Sequence, residues 1–121
     1  MAEDKKLDVL SVGDVVTDAF IDLIDNYEDV EKTDKSLILN IPLGMKIPYD
    51  HAQVIAGVGN APNAAVAFSR LGLKSGLISN VGEDDWGREI VRALKSQKVD
   101  TRFVHENAGK VSNYHYVLWY K

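Results

Sequence analysis

Gly59, Asn60 and Asn63 open a run of small residues, and Asp14 and Asp18 follow a short apolar segment; these residue types are the ones in this chain best suited to chemistry. Glycine lets backbone approach a ligand or turn sharply without a Cβ clash, and asparagine amides offer both donors and acceptors. A carboxylate can accept two hydroxyl hydrogen bonds from one molecule, so the set would suit recognition of a polyhydroxylated small molecule. Each residue also has a plainer reading. By type alone Asp18 reads as a turn or capping aspartate, with Asp14 its local competitor, and Asn63 as a polar residue in a first helical turn.

These residues must be held by strands and helices that the sequence also marks. Val9-Leu10-Ser11-Val12, closed by Gly13-Asp14, reads as a buried strand ending in a turn. Ala19 to Ile24 and Leu37 to Leu43 are strand-like. Pro42 and Pro48 nearby make them peripheral, and the charged Glu28-Asp29-Val30-Glu31-Lys32 between them reads as a solvated connection. After a short strand at Gln53-Val54-Ile55, Ala64, Ala67, Phe68 and Leu71 repeat at helical spacing, with Asn60 as cap, Pro62 in the first turn and Gly72 as stop. Leu77 to Val81 returns as a strand. Gly87, Ile90, Val91 and Leu94 then mark a second helix introduced by Asp84 or Asp85, with Asp85 favoured as its cap. Alternation of strand and helix from Val54 onward predicts a parallel sheet with crossover helices. Tyr114, Tyr116, Leu118 and Tyr120 alternate with His115, Val117 and Trp119, so both faces of a last strand are apolar or aromatic. That strand stops without a turn signal, which reads as a chain cut inside a strand.

Composition narrows the function classes. The 121 residues suffice for one domain, and 45% hydrophobic with 26% charged residues is a globular balance. A net charge of -4 without a run of Lys and Arg argues against nucleic acid and anionic membrane as partners, and no apolar run is long enough to span a bilayer. There is no cysteine and the first residues carry no apolar signal segment, which implies a cytoplasmic protein without disulfides. His51, His105 and His115 share no metal-ligand spacing. Gly57-Val58-Gly59 imitates a dinucleotide fingerprint, but Pro62 stands where a third small residue should, and no acid lies between Asn63 and Gly82 to hold a ribose. Gly72-Leu73-Lys74-Ser75 lacks the upstream glycine of a phosphate-binding loop.

Gly59, Ala61, Asn63, Ala65, Gly72 and Gly82 stand at the gaps of the first signature of the ribokinase-like carbohydrate kinases, the PfkB family, and the chain resembles their amino-terminal part. Val58 departs from the family's preference for Gly or Ala. The resemblance implies an α/β fold: the N-terminal half of a three-layer α/β/α domain, with core residues about 7–18 and 57–105. A small β-sheet lid would come from about 19–56 and 112–121. It implies that Asp18, Gly59 and Asn63 contact a sugar or nucleoside, with Asn60, Gly57 and Asp14 next in line. Gly82 and Asp85 would be structural. A complete kinase of this kind moves the γ-phosphoryl of ATP, with Mg2+, to a substrate hydroxyl. The family's catalytic Gly-Ala-Gly-Asp element is not in this sequence, and the resemblance places the family's Asn-x-x-Glu element in a carboxyl-terminal half, so this chain alone is expected to use neither cofactor. The lid strands are expected to pair two copies as a homodimer. A self-contained sugar-binding module without catalysis is the competing expectation.

Overall fold

The computed structural model describes residues 6–25 and 28–120. Residues 1–5, where no signal segment is expected, and residue 121, at the end of the expected last strand, lie outside the described residues. The opening apolar run forms β1 (Val9–Val12), and the Gly13-Asp14 turn leads into β2 (Val16–Leu23). A short hairpin, β3 (Val30–Lys32) and β4 (Leu37–Leu39), precedes β5 (Tyr49–Val58). Then come α1 (Asn60–Arg70), β6 (Ser75–Gly82), α2 (Asp85–Ser96), β7 (Val104–Asn107) and β8 (Tyr114–Trp119).

Strands joined through helices pair in parallel, as crossover connections require: β1, β6 and β7 form one sheet in the order β1-β6-β7. The second sheet runs β5-β2-β8, with β2 antiparallel to β5 and parallel to β8. Several elements differ from expectation. The charged stretch near Glu31 is not a bare connection, because Val30 and Leu39 anchor a paired hairpin whose turn is closed by Thr33 and Ser36. β5 is ten residues long instead of three, since β2 offers it a full-length edge. β7 was not expected at all; Val104-His-Glu-Asn has no apolar alternation, and its pairing with β6 creates it.

The core lies between the helices and one face of β6. Val15, Ala65, Leu77, Val81, Ile90, Leu94 and Val99 are all buried there. Leu77, Ile90 and Leu94 are each at most 1% exposed, and burial of side chains this size contributes roughly 1.5–3 kcal/mol apiece. The opposite face of the same sheet carries Leu10, Val12 and Ile78, which remain exposed at 41%, 70% and 38%. Helices therefore cover one face of the sheet in the described residues, one helical layer of the expected three-layer plan.

The two helices are capped differently from expectation. Gly59, not Asn60, occupies the cap position of α1, and no side chain caps that helix. With φ 127° and ψ 172°, Gly59 lets β5 turn directly into the helix, a backbone that side-chain-bearing residues rarely adopt. Pro62 sits in the first turn, where its missing N–H is not needed. At the far end Gly72 N–H donates to the Ser69 carbonyl at 3.0 Å and Leu73 N–H to Phe68 at 3.1 Å, a Schellman closure that ends the helix where glycine was expected to stop it. For α2 the cap is Asp84, not Asp85. Asp84 Oδ1 accepts from Gly87 N–H at 2.7 Å, while Asp85, one residue into the helix, pairs with Arg88.

Asp84 also joins the two sheets. Its Oδ2 accepts from the Ser112 backbone N–H and its Oδ1 from the Ser112 hydroxyl, both at 2.7 Å, and the same hydroxyl oxygen accepts from Gly82 N–H at 2.9 Å. The approach is so close that a Cβ at Gly82 would collide with Lys110 and Val111 backbone, and one at Gly87 with the Gly82 carbonyl. One carboxylate thus fixes the end of β6, the start of α2 and the segment entering β8.

Two outcomes follow from these contacts. The Ser112 backbone N–H is the main cause that holds the Asp84 carboxyl below its ordinary 3.8; Gly87 N–H and the Ser112 hydroxyl add to it and partial burial opposes them. A depressed folded value means that the stabilisation is complete above 3.8 and is lost as pH falls through the lower folded value. Asp84→Ala should therefore cost about 1–2 kcal/mol near neutral pH, and the gap from wild type should narrow on acidification below the ordinary aspartate range. Denaturant titrations across that range check this; a gap that stays constant contradicts it. Exposure of Leu10, Val12 and Ile78 should make the chain self-associate, and Val12→Lys should shift it toward monomer in light scattering. A monodisperse monomeric wild type would contradict that.

Candidate functional site

The carboxyl ends of β1, β6 and β7 converge on a small polar cleft, the usual place for ligands in open α/β sheets. It measures about 160 Å³ and is lined by Asp14, Asn80, Gly82, Asn107 and the backbone turn through Lys110–Asn113. Asp14 closes its own turn, with Oδ1 accepting from Val15 N–H at 3.0 Å, and Oδ2 accepts from Asn113 Nδ2 at 2.9 Å. Asn107 Nδ2 donates to Asn80 Oδ1 at 3.1 Å and to the Val81 carbonyl at 3.3 Å. The cleft is therefore walled by amides and one carboxylate already oriented by neighbours.

Asp18 does not sit in the turn after β1. It lies inside β2, paired with Ile55 on one side and His115 on the other, and is 22% exposed. His115 Nδ1 lies 3.3 Å from Asp18 Oδ1. Strand alternation puts Asp18 and Asp22 on the same face as His115 on β8 and His51 and Gln53 on β5, interleaved there with Phe20, Ile55, Val117 and Trp119. His115 was not anticipated as a neighbour of Asp18. Only the register between strands 97 positions apart brings the two together, and no local pattern encodes it.

Gly59 approaches the Asp14 carbonyl so closely that a Cβ would stand 3.1 Å from it, which ties the α1 turn to the β1 turn. Asn60 is exposed at the first helical position. Asn63 is exposed one turn on and lines a hollow of about 380 Å³ with Gly57, Val58, Val66, Ala67 and Arg70. Asp18 is not among the residues lining that hollow, nor is it in the Asp14 cleft. Gly57 is buried against α2, where a Cβ would meet Ala93 and the Ile90 carbonyl at 3.4 Å, so its lack of a side chain serves helix packing as well as the hollow. The structure brings Asp14 and Gly59 into contact, and puts Asp18 on the strand next to the one that ends at Val58.

Among the described residues no three His, Asp or Glu side chains gather closely enough to hold a metal ion. No helix among these residues is long and apolar enough to cross a membrane.

Over 57 residues the chain is 48% identical to 5-dehydro-2-deoxygluconokinase of Geobacillus kaustophilus, a match that takes in 46% of this chain and 17% of that protein. The curated relatives it matches first are covered over only about a sixth of their length. Among solved structures, the fructokinase of Halothermothrix orenii superposes with a TM-score of 0.60 at 26% identity, over 93% of this chain and 34% of that one. Arabidopsis thaliana ribokinase, solved with ribose and ATP, superposes with a TM-score of 0.69 over 93% of this chain and 32% of its own; at 21% identity it speaks for the fold alone. Residues 7–120 match the pattern of the pfkB family carbohydrate kinases, and the chain belongs to that family.

Proposed function

We propose that these residues form the sugar-binding, amino-terminal part of an ATP-dependent sugar kinase, in which the complete protein moves a phosphoryl group from ATP to a substrate hydroxyl. The observation that carries this reading is the ladder between β2 and β5. Val16 pairs with Val58, so Asp18 stands about three residue steps from Gly59, about 10 Å along the strands. That gap suits a sugar ring hydrogen-bonded at both sides. Asp18 would accept from two hydroxyls of one ring, and the backbone at Gly59 with the amides of Asn60 and Asn63 would read the others. Gly57 and Asp14 would hold the turn from behind.

Asp18 and Asn63 do not line one hollow in this chain, and the reading accounts for this by closure. The β5-β2-β8 sheet would act as a lid that pivots at Gly59, moves over the sugar, excludes water and swings Asp18 toward the Asn63 side chain. The face with Asp18, Asp22 and His115, which also carries Phe20, Val117 and Trp119, would be the face turned to substrate. The aromatic series Trp86, Tyr114 and Tyr116, with centroids 4.6 and 5.3 Å apart, would stiffen the other end of the lid against α2. Relatives named for fructose and for 5-dehydro-2-deoxygluconate suggest a ketose or a related acid as the substrate.

Calorimetry of the chain with D-fructose, 5-dehydro-2-deoxygluconate, D-ribose and adenosine tests the reading. At least one should bind, and Asp18→Asn and Asn63→Ala should each weaken it about tenfold, the loss of a hydrogen bond to a charged or well-oriented group. Absence of heat with all four, or binding indifferent to both substitutions, would overturn it.

A further inference from the structure

The edge of the sheet opposite the candidate sugar site carries a cleft of about 810 Å³, and its lining is strongly basic in a chain of net charge -4. Lys6, Lys74, Lys95, Lys98 and Arg102 face it, against the single acid Asp100 among the described residues. Asp100 is already committed to Arg102, whose Nε lies 3.0 Å from its Oδ2 and whose backbone N–H donates to its Oδ1 at 3.0 Å. No lysine of the set forms an ion pair with a described residue. These cations come from four segments, the leads into β1, β6 and β7 and the end of α2, and the parallel register gathers them.

Two further observations separate this cleft from an ordinary solvated face. Lys98 is the one non-glycine with positive φ among the described residues, at φ 60°. It closes α2 as glycine normally would: Lys98 N–H donates to the Lys95 carbonyl at 2.9 Å and Val99 N–H to Leu94 at 3.1 Å. A cation near a helix carboxyl end explains Lys95, but it does not explain a side chain kept where left-handed backbone disfavours one. Strain held at one residue of a cleft points to use of that side chain. The second observation is Ser75, which lines the cleft, is 1% exposed and, like Thr17 and Ser79 elsewhere, keeps its hydroxyl without a partner among the described residues. A buried donor without an acceptor is costly unless something supplies one.

We infer that this cleft binds a small molecule carrying two or more linked phosphate groups. Lysines bind phosphate as mobile point charges, and four of them with Arg102 match an oligophosphate better than one monoanion. The volume exceeds what a single phosphate fills. β6 separates this cleft from the Asp14 cleft by its full length, roughly 23 Å, so the two sites are distinct. The inference does not rest on the sugar-kinase reading.

Equilibrium dialysis of the full chain against tripolyphosphate and orthophosphate at about 0.15 M salt, where diffuse surface attraction is largely screened, tests it. Tripolyphosphate should be retained at least tenfold more tightly than orthophosphate. Lys74→Glu and Lys98→Gly should each weaken it about tenfold, and Lys98→Gly, which relieves the backbone strain, should melt no lower than wild type without ligand. Lys35→Glu, in the distant β3–β4 turn, should change nothing. Competition by ADP and by pyrophosphate separates a nucleotide source from a bare oligophosphate, since only the former gains from the base. No retention, the same loss with Lys35→Glu, or full retention in both cleft variants would overturn the proposal.

Discussion

β2 is paired along both edges, and the rest of the molecule is arranged by that fact. Its antiparallel ladder with β5 delivers the chain to Gly59 and α1, and its parallel ladder with β8 sets His115 beside Asp18. Without β8, Asp18 would lie on an open edge beside water; without β5, the α1 turn would have no fixed distance from it. The bond from Thr17 N–H to the Asn113 carbonyl at 3.0 Å starts the β8 ladder, and Asn113 also holds Asp14. Ser112, one residue earlier, is locked to Asp84. A single short segment, 110–114, therefore couples the parallel sheet to the β5-β2-β8 sheet and holds Asp14 and Asp84.

The charge distribution follows the same polarity. Asparagine amides and Asp14 gather where the parallel strands end, and lysines gather where they begin. A chain with more acid than base can still present a cationic cleft, because net charge says nothing about how register sorts side chains between the two edges of a sheet.

Legibility from sequence tracked the range of the determining interactions. β1, α1 and α2 were readable because periodicity and end signals are local; Gly72 stops α1 through two hydrogen bonds within one turn of chain. The caps were misplaced by one residue, because Asn60 and Asp85 are good capping types and only the backbone angles at Gly59 and the Gly87 N–H direction decide otherwise. β7 and the full length of β5 were missed, since each exists by virtue of a partner strand far along the chain. The family signature marks Gly59 and Asn63 as candidate site residues, and the contact of Gly59 with Asp14 could not be read from it. The neighbouring His115, Asn107 and Asn113 were not legible, and neither was the lysine cleft, which reads in sequence as scattered single charges.

The central claim is that Asp18 and the Gly59–Asn63 turn grip one polyhydroxylated ligand together. Titration of the isotope-labelled chain with D-fructose or D-ribose, followed through the Asp18 carboxyl, Gly59 amide and Asn63 side-chain amide resonances, tests it most directly. The account requires all three signals to move with one shared saturation curve. Movement of the Asn63 signal while Asp18 stays fixed, or separate curves for the two, would contradict it.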